Sequence, residues 1–203
     1  MKSSLPREPL QMRFFGAICL TVVLCAPTIA ASDTGSINAD LEAQAQNLVS
    51  EYVGRLQPTL KHALAEGGPT LAIEVCASQA PKIAQALSTE SGWLVKRVSL
   101  KFRNASRAQP DSWERSVLEE FDRRQAAGEL AADIHRQGQS NGQYRYMQAQ
   151  GVVGVCLLCH GENLSQPVQD ALGQYYPDDM ATGYLPGQIR GAVSLSKRLQ
   201  ENR

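Results

Sequence analysis

The sequence predicts an α+β fold with an antiparallel sheet. Two observations carry this. The first half of the chain holds long stretches whose apolar residues recur every three or four positions, and the second half holds short β-rich runs set apart by turns or one helix. Helices first and closely spaced strands later favour a helical layer on an antiparallel sheet over alternating β-α units. A third observation says what the layers enclose: the run Cys156-Leu157-Leu158-Cys159-His160 near the C-terminal end.

From Asn38 the pattern is helical, with Leu41, Ala45, Leu48, Tyr52, Leu56 and Leu60 on one stripe and Val49 and Val53 widening it. Pro58 is expected to kink or divide this helix. Glu66-Gly67-Gly68-Pro69 ends it and starts a second helix, from about Thr70 to Leu87, where Pro69 suits a first turn. His62 reads as a surface or packing residue. On the second helix Ala72, Cys76, Ala80, Ile83 and Leu87 share a face, so the thiol points inward among small neighbours. Pro81 is expected to bend it.

Gly92 opens a strand over Trp93 to Phe102, interleaved with Lys96, Arg97 and Lys101. Asn104 to Pro110 is a loop. Asp111 and Glu114 then make a capping box for a helix with Trp113, Val117, Leu118 and Phe121 on its apolar side, closed by Gly128. Leu130 to Gly142 reads as a loop or hairpin, with His135 exposed in it. Tyr144 to Gln150 alternates as a strand, Asn163 to Tyr175 forms a short helix and loop, turn residues fill 176–187, and Ile189 to Leu195 is a last strand.

The N-terminus carries Lys2, Arg7 and Arg13, an apolar run from Phe14 to Cys25, and small residues through Ala31. This is the layout of a secretory signal peptide over residues 1–30, cleaved after Ala30 or Ala31, and the apolar run is short for a membrane anchor. Leu24 argues against lipid attachment at Cys25. Residues 31–203 then form a single periplasmic domain, its core at about 40–197, with no stable membrane span. The leader takes three of the 20 basic residues and one of the 20 acidic ones, leaving a slightly acidic chain with no basic block for nucleic acid. It also leaves three cysteines, Cys76, Cys156 and Cys159.

C-x-x-C-H is the spacing of covalent c-type haem attachment. Two thiols three positions apart add to the two vinyl groups of one haem, and the adjacent imidazole ligates the iron. A redox dithiol of Cys156 and Cys159 is a second reading. A zinc site is a third, weakened because neighbouring Cys159 and His160 fit adjacent corners of one tetrahedron badly. With both motif cysteines on haem, Cys76 becomes an odd thiol in an oxidising compartment, which calls for a role. Lys96, Arg97 and Lys101 fit either haem propionates or a solvated strand face.

Three segments resemble one family: Trp93 to Asn104 (WLVKRVSLKFRN), the CLLCHG run, and Tyr176 to Val193 (YPDDMATGYLPGQIRGAV). They are similar to the periplasmic c-haem domains of PAS-like fold, the Tll-type haem-binding family, over about residues 40–197. The resemblance implies a five-stranded antiparallel sheet flanked by helices with a long N-terminal helix. It also implies one covalent haem c, with Cys156 and Cys159 in thioether bonds, His160 as proximal ligand and Cys76 thiolate as sixth ligand. Met147 and Met180 are the methionine alternatives to Cys76, and His135 is a further candidate. Members occur alone or ahead of signalling modules, and the chain is expected to be of the free-standing kind. The function expected is a haem-based redox or small-molecule sensor, or alternatively a low-potential electron carrier, whose partner is a redox protein or a small gaseous ligand. No acid/base constellation marks an enzyme.

Overall fold

The structure, a computed structural model, describes residues 33–200. The segment read as a signal peptide lies outside the described residues. Helix α1 (Asp33–Ser91) is interrupted at Gly67 and Gly68, so it consists of two helical arms. Gly68 takes φ 67° and ψ −161°, a backbone region open almost only to glycine. The break lets the second arm return along the first, and Arg55 meets Glu90 at 2.7 Å. Pro58 and Pro81 stay inside the arms and neither divides its helix. Each removes a single ladder bond, which the packing of a long amphipathic arm tolerates.

Four strands follow in one antiparallel sheet: β1 (Leu94–Val98), β2 (His135–Ser140), β3 (Gln143–Gly151) and β4 (Ile189–Arg198), in the order β1-β4-β3-β2. The architecture is α+β with a long N-terminal helical element, as expected. Among the described residues the strands number four, where the resemblance implies five. The first strand is also shorter than the run Trp93–Phe102. It stops where Ser99 Oγ comes within 2.7 Å of the Arg190 carbonyl and 2.8 Å of the Lys101 carbonyl, curling the chain out of the sheet. β2 and β3 form a hairpin whose two-residue turn, Asn141-Gly142, has positive φ at both positions, the twist that suits a tight hairpin.

Alternation along the strands sorts the core into two layers. Tyr144, Tyr146, Val193 and Leu195 face α1 and pack on Leu41, Ala45, Leu48, Tyr52 and Leu87. Met147, Ala149, Ile189 and Ala192 face helix α2 (Ser112–Ala126) and meet Val117, Leu118 and Phe121. The predicted capping box is present: Asp111 accepts from the Glu114 backbone, and Glu114 accepts in return. Between β3 and β4 the chain forms a 3-10 turn (Gly154–Cys156), a single helical turn α3 (Leu157–His160) and helix α4 (Gln166–Tyr175). α4 lays Val168 and Leu172 against Ile73 of the second arm. Among the described residues no helix is long and apolar enough to cross a membrane.

Candidate cofactor-binding site

The two arms of α1, the α1-facing side of the sheet and the C-x-x-C-H segment enclose one cavity of about 380 Å³. Leu56, Leu60 and Leu64 line it from the first arm, and Ala72, Cys76, Ala80 and Ala84 from the second. Cys156, Cys159 and His160 line it from α3 and the turn before it. The fold therefore gathers all four site residues expected from the sequence around a single space, although Cys76 lies in a different element from the other three. The small residues of the second arm leave a smooth wall, as a flat ligand needs.

Among the described residues, Cys76, Cys156 and Cys159 are free thiols. Among the described residues, no group of three or more Cys, His, Asp or Glu side chains converges so as to hold a bare metal ion. The zinc reading thus lacks its donor cluster: the sulfurs and the imidazole border a space instead of meeting at a point. Burial pushes the Cys76 thiol up, against the pull of Arg97, Arg190 and Arg103, and burial does the same to Cys159, against Arg103.

His160 is held by a bond whose geometry settles its tautomer. Its Nδ1 lies 2.6 Å from the Ala181 carbonyl, which can only accept, so Nδ1 carries the proton and Nε2 keeps its lone pair. Burial, followed by the nearby Arg190 and Arg103 charges, keeps the ring neutral far below the usual histidine range. A neutral imidazole with a directed Nε2 and a backbone-bound Nδ1 is the form that ligates a metal.

The bond to Ala181 is itself supported. Arg103 places Nε and Nη2 at 3.2 and 3.1 Å from the two carboxylate oxygens of Asp179. The same Nη2 lies 2.5 Å from the Cys159 carbonyl and 3.2 Å from the Ala181 carbonyl. Asp179 also accepts from the Ala181 backbone at 2.8 Å, and Tyr184 N donates to the His160 carbonyl at 2.9 Å. One buried ion pair thus ties the segment after β1, the haem-type motif and the 177–184 loop together. Arg103 Nη1 stands 3.5 Å from His160 Nε2, the corner that has to give way when Nε2 takes a metal.

The remaining candidates fall elsewhere. Met147 is wholly buried in the layer under α2, and Met180 is 49% exposed; neither lines the cavity. His135, expected in a loop or hairpin, lies in the β2 strand of the β2–β3 hairpin with its ring stacked on Tyr146 at 5.7 Å, and His62 is exposed. Of the basic residues read as propionate partners, Lys96 turns to Glu114 at 2.9 Å and Lys101 to the Thr182 carbonyl at 2.6 Å. Arg97 remains facing the cavity. Sequence reasoning assigned no role to Arg103, Asp179 or Arg190. All three stand inside the segments that carried the resemblance, which was the available signal.

A family model, Tll0287-like, matches residues 30–197. The chain belongs to the Tll0287-like family. The crystal structure of the cyanobacterial haem protein Tll0287 matches it with a TM-score of 0.58 at 23% identity, covering 85% of this chain and all of the other. At that identity the likeness speaks for the fold. No curated protein sequence matches the chain.

Proposed function

We propose that this Tll0287-like domain is a periplasmic monohaem c-type cytochrome that acts as a haem-based redox or small-molecule sensor. The observation that carries the reading is the convergence of Cys156, Cys159, His160 and Cys76 on one apolar cavity. Family membership supports haem binding, since the solved relative is itself a haem protein. A haem bound there supplies a one-electron couple and, when an axial position opens, a place for a small ligand. Cys156 and Cys159 hold it covalently, His160 directs Nε2 at it, and the Ala181 carbonyl fixes that ring. Cys76 is the fourth anchor and stands on α1, apart from the motif segment that carries the other three, so it is the one that can leave without disturbing them. That asymmetry favours sensing over a plain low-potential carrier, which keeps both axial ligands in each redox state. The reading is non-enzymatic.

The test is to express the chain with haem-attachment machinery, then record its intact mass and its spectra oxidised, reduced, and reduced under carbon monoxide. One added haem per chain and a ferrous form that takes up carbon monoxide support the sensor. A six-coordinate ferrous form that refuses it points to the carrier. A folded, colourless product refutes both.

A further inference from the structure

We propose, building on the haem reading above, that Arg97 and Arg190 form a carboxylate site on the sheet wall of the cavity, and that its ligand is the pair of propionates of the bound haem. Register puts Arg97 on that wall, and Arg190, skipped where β4 shifts register against β3, lines it as well. Arg97 pairs with Val193, a residue of the α1-facing layer, whereas its neighbour Lys96 turns the other way to Glu114. Arg190 follows Ile189, which belongs to the opposite layer, and it lines the cavity next to Gly191.

The other basic residues bordering the cavity are already engaged or lie in water. Lys96 has Glu114, Lys101 has the Thr182 carbonyl, Arg103 has Asp179, and Arg107 is exposed. Among the described residues, the guanidinium groups of Arg97 and Arg190 meet no carboxylate and make no hydrogen bond, and Arg190 Nε is shut off from solvent without a partner. Burial, and after it the charge of Arg97, draws Arg190 down to about 9. Two half-buried cations that repel each other beside one largely apolar cavity are left without a counter-charge there.

The chemistry of the missing counter-charge follows from what the cavity must hold. Guanidinium groups bind carboxylates in a two-point fork. A haem carries two carboxylates on one edge, and the charges of ferric iron, porphyrin and a Cys76 thiolate cancel among themselves. That leaves two negative groups for two unmatched arginines. His160 and the thioethers would set where the ring sits and which edge turns to the sheet, and the arginines would neutralise the carboxylates on that edge.

Holoprotein is compared with Arg97→Gln, Arg190→Gln and Arg190→Lys, each checked by mass for one covalent haem. The readouts are the propionate-bending bands in resonance Raman and the midpoint potential at one fixed pH. Azide affinity is measured in the Cys76→Ala background. Both glutamine variants should shift the propionate bands and lower the potential, because losing a nearby cation favours the ferric state. Arg190→Lys should return the potential toward wild type while its bands stay shifted, and azide affinity should stay within about twofold. Unchanged bands overturn the proposal, and with azide affinity falling tenfold or more they reassign the arginines to an anion bound at the iron. If Arg190→Gln does not accumulate, Arg97→Gln and Arg190→Lys decide by the same bands. Wild-type protein without covalent haem defeats the haem reading itself, an outcome distinct from haem-loaded variants that behave as wild type.

Discussion

Replacing Asp179 by alanine tests the support beneath His160. The Arg103 and Asp179 side chains are 13% and 8% exposed, so their ion pair is almost wholly desolvated. Without the carboxylate, the Arg103 guanidinium keeps the Cys159 and Ala181 carbonyls and, at 3.5 Å, His160 Nε2 as near partners, and the Ala181 N–H loses its acceptor. Breaking a buried pair by removing one member costs about 3–5 kcal/mol, because the surviving charge stays buried. For a domain of this size that lowers the melting temperature by roughly 6–20 °C. The assay is thermal denaturation followed by circular dichroism on proteins matched for cofactor content. Arg103→Met combined with Asp179→Leu should recover part of the loss, since no uncompensated charge remains. If Asp179→Ala melted with the wild type, the ion pair would be incidental. Single losses that simply add in the double variant would show that the two side chains do not act as a unit.

Two further outcomes follow from the same geometry. Cys76→Ala should raise the midpoint potential and move the Soret band, because an anionic donor that favours ferric iron is removed; an unaltered spectrum and potential would make Cys76 a packing residue. Gly68→Ala should cost about 1–3 kcal/mol by forcing a side chain into the φ 67°, ψ −161° conformation. Gly173→Ala in α4, with nothing within 4 Å of the added carbon, should be neutral or gain up to about 1 kcal/mol in urea denaturation; equal effects at the two glycines would contradict the assigned break in α1.

What the sequence determined by itself is whatever depends on neighbours in the chain. The C-x-x-C-H run is legible because its chemistry needs a spacing of a few residues, and α3 merely sets that spacing in one helical turn. The arms of α1, their separation at Gly67-Gly68, the capping box at Asp111 and the last strands were legible for the same reason: periodicity, glycine and caps act locally. Even Cys76 was marked out, by parity of thiols and by its row of small neighbours. Tertiary structure alone decided what meets across the chain. Pro58 reads as a breaker until the arm's packing is counted, and the run after Trp93 reads as a long strand until Ser99 binds the Arg190 carbonyl. Lys96 and Arg97 look equivalent in sequence, yet pairing with β4 sends one to Glu114 and the other to the cavity. Arg103 and Asp179 are 76 positions apart, and their bond to each other and to the two carbonyls beside the motif exists only because β1 and the 177–184 loop converge on α3. Side-chain alternation is a local property, but the face that becomes the cavity wall is set by which strand lies alongside, and no local pattern encodes that.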